Sequence, residues 1–257
     1  MKHTQNLPVT TGMTSQVDKK YIFDVDGTLT PSRKQIDIKF WAFFLKFCCG
    51  NDVYLVTGSD REKTVEQLGL DICYRAKRVY NCSGCDVYEK DVNVYRDTWK
   101  PSDEVRQFLQ DELDYSQFMI RTDPHIEERP GCINFSILGR GANWTEREVY
   151  KEWDHDNHER IEIAKRFNKA FPDLYAFVGG ETGVDISLKG NDKGQIIRDF
   201  DLNDEIHFFG DRMDENGNDY PLAFALQEVG GSTHYVKGWE DTRTRLEEYS
   251  ESGEFFK

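Results

Sequence analysis

No stretch of this chain approaches the ~20 consecutive apolar residues that a membrane-spanning helix needs. The first 18 residues, Met1 to Asp18, are polar and lack the apolar centre of a secretory signal; they read as a flexible tail. Basic residues are in deficit, with 33 Lys and Arg against 47 Asp and Glu and a formal net charge of −14. Nucleic-acid binding wants a basic face, so general nucleic-acid and membrane partners are both excluded. The few cations of such a chain are better used if gathered at an anion site. Cysteine is scarce and irregularly placed, at Cys48, Cys49, Cys73, Cys82, Cys85 and Cys132. That spacing is no disulfide framework, and a chain of 257 residues buries a core without one. Cys82-Ser83-Gly84-Cys85 has C-x-x-C spacing, but the second pair that a zinc site requires is missing. The six are read as reduced thiols of a cytoplasmic protein.

What is present alternates. Lys20 to Phe23 reads as a buried strand, followed by a helix over Asp37 to Cys49 with apolar positions at Ile38, Trp41, Ala42, Leu45 and Cys49. A second strand spans Val53 to Val56, a helix Arg61 to Leu68, and a short strand Arg78 to Tyr80. Strand–helix repeats of this kind imply a parallel sheet with crossover helices. The pattern then changes. Val87 to Tyr95 alternates as a hairpin around Asp91-Val92-Asn93, and Ser102 caps a helix running to Leu113. Strands follow at Cys132 to Leu138, Leu174 to Val178 and Val184 to Leu188, with a charged helix over His155 to Phe171. The first pattern resumes with a helix at Lys193 to Phe200, a strand at Ile206 to Phe209, a helix after Asp219, a strand at His234 to Val236 and a helix from Asp241. The expected fold is α/β, a doubly wound parallel-sheet core over residues 19–89 and 190–257 with an α+β domain inserted over 90–189.

Chemistry concentrates at the strand exits. Asp24-Val25-Asp26-Gly27-Thr28-Leu29-Thr30 follows the apolar Tyr21-Ile22-Phe23. A carboxylate at Asp24 can attack phosphorus and carry the group as an acyl phosphate. Asp26 is placed to give a proton to the leaving oxygen and take one back. Gly27 lets the backbone turn so that amides reach a phosphate, and Thr28 adds a hydroxyl. Thr57 closes the second strand with another hydroxyl, with Ser59 a competitor for that role. Lys193 is a cation that could bridge nucleophile and phosphate. Asp211 follows Ile206-His207-Phe208-Phe209-Gly210, and Asp219 lies just beyond. Asp24, Asp211 and the carbonyl of Asp26 form an oxygen-rich set suited to Mg²⁺. The run Asp214 to Asp219 superficially resembles a calcium loop, but aligning Gly217 with the loop's glycine puts Arg212 and Ala223 where carboxylates are required. His155 and His158 sit on a densely charged helix and read as solvated.

Together these residues resemble the haloacid-dehalogenase superfamily: Asp24 and Asp26 match its first motif, Thr57 the second, Lys193 the third, Asp211 with Asp219 the fourth. The insertion after the third strand matches the large C2-type caps. Within the superfamily the chain is similar to the eukaryotic-type phosphomannomutases, from about Tyr21 to about Leu246. The likeness is strongest in Phe23-Asp24-Val25-Asp26-Gly27-Thr28-Leu29-Thr30-Pro31, Gly58-Ser59-Asp60, Glu66-Gln67-Leu68-Gly69, the two parts of the fourth motif, Asn134 to Arg140 and Glu146-Arg147. The resemblance implies that Arg33 in the core and Arg129, Arg140 and Arg147 in the cap bind a hexose phosphate, and that Asp185 binds sugar hydroxyls. It implies Mg²⁺ held by Asp24, Asp26, Asp211 and Asp219, and glucose 1,6-bisphosphate or mannose 1,6-bisphosphate as activator. It also implies a homodimer through the cap and a role in supplying GDP-mannose synthesis. The chain departs from the pattern at Gly183, where the family has Ser, at Thr57, where it usually has Gly, and at Ala225, where it has Asp. Asp97 to Glu128 matches poorly. The rivals to a mutase are a sugar-phosphate phosphatase, in which water takes the group from Asp24, and a binding protein with a decayed site. Intact Asp24, Asp26, Lys193 and Asp211 weigh against the latter.

Overall fold

A computed structural model describes residues 18–215 and 217–251. The tail read over residues 1–18 lies outside them apart from Asp18. Strand β1 (Lys19–Asp24) starts the core and α1 (Ile38–Gly50) follows, its first turn capped by the Asp37 carboxylate, which accepts from Lys39 N and Phe40 N. The buried face of α1 is Phe40, Phe44, Phe47 and Cys48, whereas Ile38, Ala42 and Cys49 of the expected stripe are exposed. The aromatic stripe wins because its rings pack on Tyr21 and Phe23 of β1, burying more apolar surface than the aliphatic one could. Then come β2 (Asp52–Val56), α2 (Arg61–Leu68), α3 (Leu70–Arg75), β3 (Arg78–Asn81) and the hairpin β4 (Asp86–Glu89) and β5 (Val92–Arg96). Its turn is Lys90-Asp91, both at positive φ, one residue earlier than expected.

After this hairpin the chain builds α4 (Asp103–Tyr115), β6 (Ile126–Arg129), β7 (Cys132–Phe135), α5 (Trp144–Asn157), α6 (Glu159–Ala170), β8 (Leu174–Gly179) and β9 (Gly183–Leu188). Ser102 caps α4 as expected, its Oγ accepting from Val105 N. The helix expected over His155 to Phe171 is two helices. His155 belongs to the last turn of α5, and His158 breaks the chain in the left-handed region at φ 55°. The core resumes with a 3-10 helix at Lys193–Asp199, within the helix expected over Lys193 to Phe200, then β10 (Glu205–Gly210), α7 (Tyr220–Glu228), β11 (Ser232–Tyr235) and α8 (Trp239–Glu251).

The large sheet runs β11-β10-β1-β2-β3-β4-β5, parallel from β11 to β3 and antiparallel across the hairpin. The hairpin therefore extends the core sheet. A boundary at residue 90 would cut its turn, and the inserted unit begins after β5. Alternate residues of the central strands face opposite helical layers. Tyr21, Phe23 and Leu55 pack with α1, α3 and α8, while Ile22, Val56 and Phe208 pack with the 3-10 helix and α7. The inserted unit has its own sheet, β6-β7-β9-β8, and its own core under α4, α5 and α6. The chain crosses between the two units twice. The crossings are joined where Asn191 Nδ2 donates to Asp97 Oδ2 at 3.0 Å. No helix among the described residues is long and apolar enough to cross a membrane.

Candidate active site

Open parallel sheets hold ligands at the C-terminal strand ends where strand order reverses. Here that point lies between β1 and β10, and Asp24 and Asp211 leave those two strands side by side. Lys193 opens the 3-10 helix, and its Nζ lies 2.5 Å from Asp24 Oδ1 and 2.7 Å from Asp219 Oδ1. Asp219 Oδ2 accepts from Arg212 N at 3.0 Å. Glycine makes the packing possible. A Cβ on Gly27, at φ 81°, would lie 2.2 Å from Asp211 Oδ2.

Burial, then repulsion from Asp219, pushes the Asp24 carboxyl well above the usual range, against the pull of Lys193. The same two causes raise Asp211 to about 6. Burial alone would discharge Lys193, but Asp219 and Asp24 outweigh it and keep the ammonium charged. Carboxylate oxygens of Asp24, Asp211 and Asp219 lie within 4.8 Å of one another, and Asp24 Oδ2 is buried without a hydrogen-bond partner. Three carboxylates against one ammonium leave two negative charges, and every donor is a hard oxygen. The set fits a divalent cation such as Mg²⁺. Both oxygens of Asp219 are already hydrogen-bonded, which leaves Asp24 and Asp211 as the natural direct ligands.

The Asp26 carboxylate stands apart from this trio. Its Oδ1 accepts from Arg33 N at 2.6 Å and Gln67 Nε2 at 2.9 Å, and its Oδ2 from Ser59 Oγ at 3.4 Å. Gln67 is buried and also donates to Thr30 Oγ1, fixing the Asp26 carboxylate against the turn that follows β1. Gln67 was not singled out from sequence, although it lies in a matching segment. Thr57 is buried, and its hydroxyl oxygen accepts from Ser59 N at 3.0 Å, which leaves its proton free to donate. Ser59's hydroxyl is directed at the Asp26 carboxylate.

In the cap two of the expected arginines, Arg129 and Arg140, converge on a carboxylate that sequence reasoning missed. Glu127 Oε1 lies 3.0 Å from Arg129 Nε, and its Oε2 2.6 Å from Arg140 Nε. Burial would raise Glu127, but Arg129 and Arg140 outweigh it and hold the carboxyl below its ordinary value. Burial lowers the Arg140 pKa, Glu127 opposes this, and the positive charges of Arg129, Arg33 and Arg147 lower it further. Core Arg33 thus shares an electrostatic neighbourhood with the cap arginines. Arg147, on α5, lies 3.7 Å from Glu181. Asn134 joins the set to the expected sugar ligand: Arg140 Nη1 donates to its Oδ1 at 3.3 Å, and its Nδ2 donates to Asp185 Oδ1 at 2.7 Å. A Cβ at Gly183 would meet that amide at 2.5 Å, so the Ser-to-Gly departure makes room for Asn134.

The cysteines are free thiols. Contact with Cys132, then burial, raises the Cys82 thiol, and burial raises Cys85 to about 12. Among the described residues only Asp24, Asp211 and Asp219 form a three-residue metal-ligating group. His155 is exposed beside Asp156. A groove of about 960 Å³ at the opposite ends of β2 and β3 contains none of the expected site residues.

Comparison with known proteins agrees with this geometry. The fold is shared with a haloacid dehalogenase-like hydrolase from Bacteroides thetaiotaomicron, at TM-score 0.58 and 11% identity over 90% of this chain and 99% of that one. It is shared also with a trehalose-6-phosphate phosphatase related protein, at TM-score 0.57 and 20% identity over 91% and 98%. At such identities these show fold alone. In sequence, the chain is 31% identical to a phosphomannomutase of Spinacia oleracea over 88% of this chain and 94% of the relative. It is 29% identical to one of Saccharomyces cerevisiae over 86% and 90%. The family model described as eukaryotic phosphomannomutase matches residues 42–252. A match of that length, on a fold that brings the expected carboxylates and lysine to one crevice, means that this chain belongs to the eukaryotic phosphomannomutase family.

Proposed function

We propose that the chain interconverts mannose 6-phosphate and mannose 1-phosphate through a phosphorylated Asp24, primed by glucose 1,6-bisphosphate or mannose 1,6-bisphosphate. The observation that carries this reading is the pairing of a buried nucleophile centre with a separate anion clamp. The Asp24–Lys193–Asp219 cluster lies in the core, and Arg129 and Arg140, bridged by Glu127, lie in the cap within the influence of core Arg33. A mutase must hold a sugar by either of two phosphates, and guanidinium groups suit the remote one. A phosphatase has no need of a permanent remote clamp.

In the first half-reaction a carboxylate oxygen of Asp24 forms a bond to phosphorus of the bisphosphate. The bond to the sugar oxygen breaks, and that oxygen takes its proton from Asp26. The second half-reaction runs the same steps in reverse on a monophosphate, with Asp26 drawing the proton from its hydroxyl. The resulting bisphosphate turns round before the cycle repeats. Lys193 screens the nucleophile from the phosphate, and Thr57 donates to a phosphate oxygen. Asp24 and Asp211, with the Asp26 carbonyl, would hold Mg²⁺, the charge of Asp219 adding to the site, and the ion would let an anionic nucleophile approach an anionic phosphate. Asp185 binds sugar hydroxyls. The product would supply GDP-mannose synthesis. A reducing, cytoplasmic setting is supported by six free thiols, and a cap dimer by the exposed Tyr115 and Met119.

A ³¹P NMR time course with Mg²⁺ and mannose 1-phosphate, with and without a trace of glucose 1,6-bisphosphate, tests this. Bisphosphate-dependent growth of mannose 6-phosphate is expected. Accumulation of inorganic phosphate alone would replace the mutase with a phosphatase.

A further inference from the structure

The cap sheet has one face under α4, α5 and α6 and one face toward the core. Register lines up the residues of the second face in two rows. One row is Glu127, Asn134, Asp185 and Phe177, the other Arg129, Cys132, Ser187 and Tyr175. Contact of Cys132 with Cys82 of the core, and of Gly131 with Cys85, shows which way this face looks. Six of the eight positions are polar or thiol, and three of them form the clamp and its link to Asp185. The other two, Tyr175 and Phe177 on β8, are large aromatics. They stack with ring centroids 5.8 Å apart and stay 50% and 38% exposed. Their inward neighbours Leu174 and Ala176 already fill the cap core, so the aromatic pair serves no packing there. Exposed apolar pairs on a polar face mark contact surfaces.

The occupant follows from the neighbours. Phe177 is directly opposite Asp185, which puts their Cβ atoms about 5 Å apart. A carboxylate beside an aromatic plane fits a ligand with hydroxyls on its edge and C–H bonds on its face, and Arg129 on the same sheet, with Arg140 sharing Glu127, fits its phosphate. Resting on the sugar-phosphate reading above, we infer that Phe177, with Tyr175 stacked behind it, is a specificity-determining platform for the pyranose ring of the substrate. The pair selects hexose phosphates over acyclic polyol phosphates.

The test is isothermal titration of the full chain with mannose 1-phosphate, glucose 1-phosphate, glycerol 3-phosphate and inorganic phosphate. Wild type is compared with Phe177→Ala, Phe177→Tyr and Phe177→Leu, and each variant's mass is followed by sedimentation velocity. Wild type should bind the two hexose phosphates at least tenfold more tightly than glycerol 3-phosphate. Phe177→Ala should lose about tenfold on the hexose phosphates and less than twofold on the other two ligands. Phe177→Tyr should restore the preference, and Phe177→Leu, apolar but without a ring face, should not. The inference is overturned by equal binding of cyclic and acyclic phosphates by wild type. Equal losses on all four ligands would also overturn it, as would a changed mass with unchanged hexose affinity, which would make the pair an association surface. A ring preference that depends on Phe177 stands even if the NMR experiment shows no mutase turnover, so the two readings fail separately.

Discussion

Lys193 is the residue on which the core of the site turns. It is buried between two carboxylates that would otherwise repel. Removing one partner of a buried ion pair leaves the other charges uncompensated, at a cost of about 3–5 kcal/mol. We expect Lys193→Met to lower stability by that order in urea denaturation, and turnover by at least a hundredfold, as for loss of a preorganised charge. Because Asp24 is already pushed upward in pKa, the variant should regain stability as the pH is lowered. A variant with wild-type stability would contradict the pairing. Asp211→Asn should act in the opposite sense on the metal-free protein. Its carboxyl is raised to about 6, from an ordinary value near 3.8. The folded state therefore holds that proton more tightly than the unfolded chain. The metal-free protein loses this contribution as pH rises from about 4 through 6. The half-exposed site reduces the gain from Asn to about 1–2 kcal/mol at neutral pH. Scanning fluorimetry in EDTA should show a higher melting temperature for Asp211→Asn than for wild type. Added Mg²⁺ should raise the melting temperature of wild type alone, and less so below pH 6, where a proton competes for Asp211.

Elements explain what was legible and what was not. Strands β1, β2 and β10 were readable because burial on both faces makes them short apolar runs, and each ended where a chemical residue stood. Helix α5 was missed despite a full capping box, in which Asn143 accepts from Glu146 N and Glu146 accepts from Asn143 N. Its buried face is thin, with only Tyr150 and Asp154 buried, so apolar periodicity gave no signal, and Asn143 followed by Glu146 was the cue to use. Glu127 stayed invisible because β6 has only a partly buried Ile126 on its core side, and charged residues in a short edge strand read as loop. Asn134 and Gln67 were within segments already noticed, but a neutral amide declares its role only through its partners. At the sheet edge, His207 Nδ1 and His234 Nε2 lie 3.1 Å apart. Burial, then His207 and Arg245, depress His234 to about 4. Its neutral form stabilises the fold fully above pH 6.5, and that contribution is lost as pH falls toward 4. His234→Phe should remove a few degrees of the fall in melting temperature between those values, readable as a flatter profile by calorimetry.

At the scale of the whole molecule the cap and the core bury separate hydrophobic clusters, while the arginines proposed to hold the anion come from both. Hydrogen exchange of the ligand-free protein should resolve two protection classes, one for α4, α6 and the cap sheet, one for the parallel strands. Millimolar sulfate should slow exchange around Arg33 and around Arg140 together. Slowing confined to one unit would mean that the clamp does not span both. The two-unit organisation was visible in the change from alternating to mixed patterns, but its edge was not. The β4–β5 hairpin is as irregular as a cap by pattern, and only its pairing with β3 assigns it to the core. The positive charge of Arg33 acts against that of Arg140, and the protein sets Glu127 against two of the four guanidiniums and Glu181 against a third. A dianion bound among them would relieve that repulsion. Cargo that brings its own negative charge is therefore what this arrangement of cations favours, ahead of neutral sugars.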